Sequence, residues 1–312
     1  MKIVFAGTPE FAVLPLQKII EHGGNVVGVI TQTDKPQGRK GILTPPPVKT
    51  VALNAGLPVL QPQKIKEEIE DVKALGGDVL ITCAYGQILT QEVLDAFPLG
   101  VWNIHAGLLP KYRGASPIQS CILAGETETG VSIMKTELGL DSGDILLVER
   151  TPIGEKETCG ELSARLSEIG AELIVNALKL LESGNYILEK QSADGVNVVR
   201  KIGKEQAKID FSKTAKEIEN LVRAMNPEPT AYTAVNGLKV NVYAVEECAL
   251  PQDVETASMG EVLTDSPKKG LIVRCRDGAI KILELQASGG KRMKGSDFLN
   301  GRKVTKGDVF EC

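Results

Sequence analysis

Short apolar runs alternate with amphipathic stretches through the first part of the chain. Apolar runs predict buried strands at 2–6, 25–31, 78–83 and 100–105, and the stretches between them predict helices near 8–22, 48–55 and 64–75. Strands that alternate with helices are typical of a parallel or mixed sheet with helices on both faces, a Rossmann-like α/β fold. The first turn lacks G-x-G-x-x-G, so the dinucleotide fingerprint is absent.

The hydrophobic pattern changes towards the C-terminus. Strands are expected at 129–135 and 145–150 and a long amphipathic helix at 158–182, and residues 187–205 resemble a linker. Short alternating strands then follow at 232–235, 238–245, 260–264, 271–275 and 279–285. Five short strands separated by turns predict an OB-like β-barrel. We therefore expect a catalytic domain over 1–186, with an inserted basic loop at 32–49, and a barrel domain over 206–312.

Composition excludes several classes of protein. The 312 residues include six cysteines without a C-x-x-C pair and only two histidines, which argues against a disulfide framework and against a metal site. No run is suited to a signal peptide or a membrane span, so we expect a cytoplasmic protein that needs no membrane. Residues 200–312 hold 19 basic against 16 acidic side chains, whereas the rest holds 17 against 24. A basic module suits a polyanionic partner, although an ordinary solvated surface explains the same excess of basic side chains.

Residues 32–47 form a long stretch without periodicity. It is rich in Pro and Gly, and its cations, with one just beyond it, are Lys35, Arg39, Lys40 and Lys49. A structureless loop of this length in a compact domain is usually functional or disordered. The loop could follow a phosphate backbone, and an idle insertion is the alternative.

A polar pair interrupts the fourth apolar run. Asn103 and His105 are two residues apart, so on a strand they share one face, where buried strands normally carry Val, Ile or Leu. The loop 84–89 follows the preceding strand, and ligands of open α/β sheets bind at the carboxyl ends of strands. The plain alternative is a strand-end histidine that is hydrogen-bonded to a neighbouring loop.

Asp141 lies in a Gly-rich turn and adds a carboxylate to this pair. There is no G-x-S-x-G, P-loop or H-E-x-x-H motif, and hence no evident covalent nucleophile or metal site. An amide donates to an oxyanion, an imidazole donates or moves a proton, and a carboxylate orients the imidazole. Such a set suits acyl transfer between two bound substrates, in which alignment supplies much of the rate.

Three motifs carry a resemblance to a known superfamily. Asn103-Ile104-His105, the run from Leu108 to Gly114, and the run from Leu140 to Asp144 together resemble the signature of folate-dependent formyltransferases. The opening residues 5–11, the loop 31–39, and residues 113–119 and 201–211 are similar to the branch that acts on methionyl-tRNA. The resemblance covers essentially the whole chain. It implies formyl transfer from 10-formyltetrahydrofolate to the α-amino group of methionine on initiator tRNA, for translation initiation, by a monomer without metal.

The resemblance also implies roles for particular residues. Asn103 and His105 polarise the formyl carbonyl and hold the oxyanion, and Asp141 orients His105 and assists proton removal. The folate is expected against Ala84, Tyr85, Gly86, Gln87, Ile88, Leu89, Gly107, Leu108, Leu109 and Pro110. The tRNA is expected against Lys35, Arg39, Lys40, Lys49 and the C-terminal barrel. Gly107 departs from the family, which more often has Ser at this position.

Two other functions stay open at this point. One is another folate-dependent enzyme on the same domain, either a formyltransferase for a small amine or a formyl-folate hydrolase. The basic loop and the barrel speak against it, because a small acceptor needs neither. The other is a non-enzymatic RNA-binding protein, for which the polar pair on a buried strand has no use.

Overall fold

The computed structural model describes residues 1–38, 41–251 and 256–311. Within these ranges the chain forms two compact units. The first contains Met1–Pro117, Glu128–Pro152 and Ser163–Val199, and the second contains Ile118–Thr127, Ile153–Leu162 and Arg200–Cys312. In the described ranges, every helix is either too short or too polar to span a lipid bilayer.

A seven-stranded sheet organises the first unit. The strands of the unit are β1 (Lys2–Gly7), β2 (Asn25–Ile30), β3 (Lys35–Gln37), β4 (Ile42–Thr44), β5 (Val59–Leu60), β6 (Val79–Cys83), β7 (Val101–His105), β8 (Arg113–Gly114), β9 (Glu128–Lys135), β10 (Ile145–Pro152) and β11 (Val198–Val199). The order in the sheet is β10-β9-β7-β6-β1-β2-β5. The five strands from β7 to β5 are parallel, whereas β9 and β10 are antiparallel to their neighbours. The predicted α/β class with a parallel-rich sheet is confirmed.

Helices connect these strands. They are α1 (Val13–Glu21), α2 (Pro47–Asn54), α3 (Ile69–Ala74), α4 (Gln91–Asp95), α5 (Pro117–Leu123) and α6 (Cys159–Ser183), the last two containing residues of both units. Part of the core joins β1 and β6 to α3 and α4, through buried side chains such as Val4, Leu80, Val72 and Val93. This buried face fixes β6 and β7 side by side, so the ends of both strands meet at one edge of the sheet.

The beginning of α1 differs from the prediction. A threonine before a predicted helix usually caps it, which makes Thr8 the expected cap, but a 3-10 turn at Glu10–Ala12 precedes α1 and neither has a side-chain cap. The Thr8 hydroxyl instead donates to the Tyr85 carbonyl at 3.0 Å and accepts from the Gln32 amide at 3.3 Å. Thr8 therefore ties together the loops that follow β1, β2 and β6.

The second unit contains an antiparallel sheet. Its elements are α7 (Ala215–Ala224), β12 (Ala231–Val235), β13 (Leu238–Cys248), β14 (Leu271–Cys275), β15 (Gly278–Ala287), β16 (Met293–Lys294) and α8 (Gly295–Asn300). Thr214 and Glu217 form a capping box at the start of α7. The strand expected at 260–264 is limited to single bridges at Glu261 and Val262.

The strands of this sheet follow the order β12-β13-β15-β14, and β16 pairs with β15. A buried cluster that includes Phe211, Ile218, Val242, Ile280 and Phe298 packs α7 and α8 against it. Among the described residues, the path of the named strands is open, with β12 and β14 at its two ends. A closed OB-like barrel therefore stays a prediction.

Candidate active site

His105 lies at the end of β7, in the middle of the large sheet. Its side chain is 4% exposed. Nε2 lies 3.1 Å from the Tyr112 carbonyl oxygen, and Nδ1 lies 3.5 Å from Asp141 Oδ2. Burial lowers the pKa of His105, while the Asp141 carboxylate and the Tyr112 carbonyl oppose that shift. The ring is held between two acceptors in a site that favours its neutral form.

This arrangement has a chemical consequence for proton transfer. A neutral imidazole donates from only one nitrogen, so one of the two facing acceptors is left without a proton. On protonation the ring donates to both acceptors at once. His105 is therefore placed to take up a proton, and Asp141 stabilises the imidazolium that results.

Asn103 is two residues earlier on the same strand and is half-buried. It stands opposite Thr82 in the register of β6 and β7, and the Thr82 hydroxyl donates to Asn103 Oδ1 at 2.9 Å. Because Oδ1 is the acceptor, the orientation of the amide is fixed and Nδ2 points its two N–H donors elsewhere. No hydrogen bond from Nδ2 is made to any residue that the structure describes. Asn103 thus offers a preoriented donor at the strand end.

Asp141 lies in the turn between β9 and β10, with a φ of 45°. Its Oδ2 accepts from the Gly114 amide at 2.7 Å, in addition to facing His105 Nδ1. The side chain is 17% exposed, so one edge of the carboxylate is near solvent. The fold brings Asn103, His105 and Asp141 to one edge of the sheet, as the sequence predicted for the first two.

The loop 84–89 follows β6, next to this edge. Ala84 and Gly86 have positive φ angles, and a Cβ at Gly86 would lie 2.4 Å from Gln32 Nε2. Ile88 is 88% exposed, which is unusual for a large apolar side chain. The loop therefore presents backbone groups and one open apolar surface beside the strand end that carries Asn103.

The comparisons with known proteins identify the family of the chain. Residues 1–178 match the model of the family described as formyl transferase, and residues 201–303 match the formyl transferase C-terminal domain. The chain is 43% identical over 312 residues to the methionyl-tRNA formyltransferases of Symbiobacterium thermophilum and Bacillus subtilis. The alignments cover 99% of this chain and 95% and 97% of those proteins. The chain belongs to the formyltransferase family.

Solved structures of lower identity share its fold. An N-formyltransferase from Helicobacter canadensis, in complex with folinic acid and dTDP-3-aminofucose, matches with a TM-score of 0.67 at 21% identity, covering 90% of this chain and 98% of that one. HypX from Aquifex aeolicus in complex with tetrahydrofolic acid matches with a TM-score of 0.67 at 18% identity, covering 98% of this chain. This formyltransferase-family chain spans only 48% of the length of that HypX chain.

The expected folate residues of this formyltransferase-family chain do not all expose their side chains. The Tyr85 side chain is buried in the core of the first unit, where burial raises its pKa, and only its backbone borders the loop. Gln87 donates to the carbonyls of Pro62 and Gln63 and accepts from the Ile65 amide, so it anchors the loop from behind. Leu89 is half-buried against the same core as Tyr85. The loop therefore presents mainly Ile88 and its backbone.

Gly107 has little room for a side chain. A Cβ there would lie 3.1 Å from His105 Nε2 and 3.4 Å from the Pro117 Cβ. The Ser132 hydroxyl donates to the Gly107 carbonyl at 2.8 Å, which fixes the turn after β7. The neighbouring Leu108, Leu109 and Pro110 are half-buried. The departure at Gly107 thus lies in direct contact with the buried histidine.

The basic loop contains a hairpin rather than unstructured chain. β3 pairs with β4, and Ile42 and Leu43 are 63% and 64% exposed. Lys49 Nζ donates to Asp34 at 2.8 Å and to Gln61 Oε1 at 2.6 Å. The hydrogen bond from Lys49 lowers the pKa of the Asp34 carboxyl. Lys35 Nζ donates to Gln32 Oε1 at 2.7 Å. Arg39 and Lys40 lie outside the described residues. Lys49 fastens the base of the hairpin, so its use as a tRNA contact requires that this ion pair opens.

Two residues that contact the candidate catalytic side chains or their turns were missed from the sequence. Thr82 donates to Asn103, and Gln191 donates to the Asp141 carbonyl. Thr82 had a signal: it is a polar residue within an apolar strand, the same argument that singled out Asn103. Gln191 had none, because it lies in the aperiodic stretch 187–205. In the structure part of that stretch forms β11, which pairs with β8, and Glu189 pairs with Ile145.

Proposed function

We propose that this chain transfers a formyl group from 10-formyltetrahydrofolate to the α-amino group of methionine on initiator tRNA. The observation that carries the proposal is the 43% identity to methionyl-tRNA formyltransferases over nearly their whole length. The enzyme is accordingly a one-carbon group transferase that serves translation initiation in the cytoplasm. Its acceptor is large and polyanionic, and we propose that it acts as a monomer.

The side chains at the strand end support this chemistry. The methionine amine attacks the formyl carbon, a C–N bond forms, and charge develops on the formyl oxygen. Asn103 donates to that oxygen from Nδ2, the preoriented group described above. His105 takes the proton released by the amine, and Asp141 stabilises the ring as its charge grows. The bond between the formyl carbon and the donor nitrogen then breaks, and that nitrogen takes up the proton from the His105 imidazolium, which completes the transfer.

His105 has a second possible contribution, as a donor to the same oxygen. In the structure its Nε2 faces the Tyr112 carbonyl, so this role requires the ring to exchange that contact for the substrate. The role of proton acceptor likewise requires one ring nitrogen to turn its lone pair from Tyr112 or Asp141 towards the amine. Asn103 Nδ2 needs no such rearrangement among the described residues, so we propose Asn103 first as the oxyanion donor and His105 as the base.

The loops around the strand end suit a folate. The donor carries a flat, heteroaromatic ring system, which needs an apolar surface and backbone hydrogen-bonding groups. Ile88 supplies the open apolar surface. The backbone of 84–89 and the turn 107–110 supply the polar groups, and Gln87 and Ser132 hold these two segments from behind.

The remaining parts suit a tRNA acceptor. We assign Lys35, Arg39, Lys40 and Lys49 to the acceptor-stem side, with Lys49 acting first as the support of the hairpin. We assign residues 206–312, as an OB-like barrel domain, to further contacts with the tRNA. A phosphate backbone favours such clusters of cations.

The deciding experiment measures formyl transfer from 10-formyltetrahydrofolate to four acceptors. They are methionyl-tRNA, unacylated tRNA, free methionine and a dTDP-amino sugar, the last because a sugar-nucleotide complex shares this fold. We expect transfer to methionyl-tRNA alone. Transfer to the amino sugar without transfer to methionyl-tRNA would replace the proposal by a small-molecule formyltransferase.

A further inference from the structure

The Asp141 turn is held by a side chain from a distant part of the sequence. Gln191 Nε2 donates to the Asp141 carbonyl at 2.9 Å and to the Gly143 carbonyl at 2.7 Å. Gln191 Oε1 accepts from Arg113 Nε at 3.0 Å and from Arg113 Nη2 at 2.7 Å. A primary amide has two N–H donors and two lone pairs on its oxygen. All four are used, so this one side chain joins the Asp141 turn to the segment that carries Arg113.

The segment that carries Arg113 also positions the Asp141 carboxylate. Gly114, next to Arg113, donates its amide to Asp141 Oδ2, and that oxygen faces His105. Gln191 therefore contacts the backbone of the Asp141 turn on one side of this carboxylate contact and the Arg113 side chain on the other. Asp141 needs such support, because a φ of 45° is unfavourable for a residue with a side chain.

The backbone around Gln191 is itself anchored. On one side Glu189 exchanges two hydrogen bonds with Ile145, at 2.8 and 2.9 Å. On the other side Asn197 accepts from the Arg113 amide and Val199 accepts from the Ala115 amide, both at 3.0 Å. The segment 189–199 thus crosses the catalytic loops with both ends fixed. Its one glutamine side chain reaches the Asp141 turn from a defined origin.

We propose that Gln191 is a positioning residue, which sets the Asp141 carboxylate beside His105 by fixing the carbonyls of Asp141 and Gly143. Only a side-chain amide of this length both accepts from Arg113 and donates to the two carbonyls. A carboxylate keeps the contact with Arg113 but turns an anionic oxygen towards two carbonyl oxygens. A methionine keeps the length and removes the hydrogen bonds. The kinetic consequence rests on the proposed function, whereas the effect on His105 does not.

The test compares Gln191→Glu and Gln191→Met with the wild type in two measurements. In formyl transfer, we expect kcat to fall about tenfold, the scale of one or two lost hydrogen bonds, with Gln191→Glu the more affected. We expect the KM for either substrate to stay within about twofold, because the loss concerns alignment and not binding. Gln91→Glu and Gln91→Met are the matched controls, since Gln91 lies on the exposed surface of α4 and donates to Asp95, its one side-chain partner among the described residues.

The second measurement follows the imidazole of His105 by NMR as a function of pH. The chain has only two histidines, so His22 is the internal reference. Asp141 raises the pKa of His105, so a displaced carboxylate lets that pKa fall. We expect a downward shift in both Gln191 variants, in the same direction as in Asp141→Asn. The double variant Gln191→Met with Asp141→Asn should show no further shift, because both changes remove one interaction.

These outcomes separate the explanations. A merely structural glutamine would lower the melting temperature or raise both KM values and leave the titration of His105 unmoved, which would overturn the proposal. Failure of Gln191→Glu to fold leaves Gln191→Met as the deciding variant. If the wild type did not formylate methionyl-tRNA, the proposed function would fail, and the NMR comparison would still decide whether Gln191 positions Asp141.

Discussion

The candidate catalytic centre and the basic hairpin are fixed to very different degrees. Every polar side chain of the catalytic centre has partners from other segments: Thr82 for Asn103, Tyr112 for His105, and Gly114 for Asp141. The hairpin of β3 and β4 is joined to the fold mainly at its base, through Lys49, Asp34 and Gln61. Its Ile42 and Leu43 side chains remain mostly exposed.

The difference reflects what each region has to do. Transfer between two substrates depends on alignment within fractions of an ångström, so the catalytic groups are held before any substrate arrives. A contact with a phosphate backbone depends on charge over several ångströms and tolerates a looser support. Substitutions in the centre should therefore change kcat, whereas substitutions in the hairpin should change the use of tRNA.

His105→Ala should have the largest effect. Removing the imidazole that we propose takes the amine proton should lower kcat/KM for formyl transfer by at least about 10²-fold. Circular dichroism and a melting curve verify that the variant folds, and His22→Ala is the control, because His22 is exposed and lies at the end of α1. Turnover close to the wild type in folded His105→Ala would remove this residue from the mechanism.

Arg39→Ala should come next and should affect the other region. We expect kcat/KM for methionyl-tRNA to fall about tenfold and the log–log salt slope to decrease by roughly one unit, as for one lost phosphate contact. Folate affinity, measured by fluorescence, should be unchanged. Lys66→Ala, which removes an exposed cation elsewhere in the first unit, is the control. An equal loss of folate affinity and tRNA use would mean that the loop supports the fold.

Two of the proposed catalytic residues stand out in the sequence for a physical reason. A buried parallel strand normally excludes Asn and His, so their presence on β7 signals a function that outweighs the cost of burial. Asp141 has no such signal, since Asp and Gly are ordinary turn residues; it is a candidate only as a carboxylate that could orient an imidazole, and the family resemblance supports that role. The rule that ligands bind at the carboxyl ends of strands correctly placed the loop 84–89 beside β7.

The secondary structure of segments without hydrophobic periodicity was not predicted from the sequence. The hairpin of β3 and β4 and the short β11 are each only two or three residues per strand, too short to produce an alternating pattern. The role of Thr8 was misjudged because a threonine before a helix usually caps it, whereas here its hydroxyl bonds two distant loops. Such contacts join residues that are distant in the sequence, so no local sequence pattern predicts them.

Thr82→Val tests whether the centre is as firmly held as its hydrogen bonds indicate. Valine has nearly the same shape and lacks the hydroxyl, so Asn103 loses the partner that fixes its amide. We expect kcat to fall about fivefold, the scale of one neutral hydrogen bond, with both KM values unchanged. Thr82→Ser should restore most of the loss. If the valine variant turned over at the wild-type rate, the orientation of Asn103 would not depend on Thr82.

Gly107→Ser should have the smallest effect, and it tests how firmly the His105 ring is held. The new Cβ would meet His105 Nε2 at 3.1 Å, closer than ordinary contact, and the ring has little freedom to retreat between Tyr112 and Asp141. We expect kcat to fall about two- to threefold.

Gly107→Ala separates the two parts of that substitution. It adds the same Cβ without the hydroxyl, and the Cβ alone makes the close contact, so both variants should lose the same factor in kcat and shift the NMR titration of His105 together. A serine variant as active as the wild type beside an impaired alanine variant would show that the hydroxyl compensates, through a hydrogen bond that glycine lacks. Unchanged kcat in both variants would show that the turn after β7 gives way more easily than the ring. The catalytic centre would then be adaptable at Gly107 and firmly held only around Asn103 and Asp141.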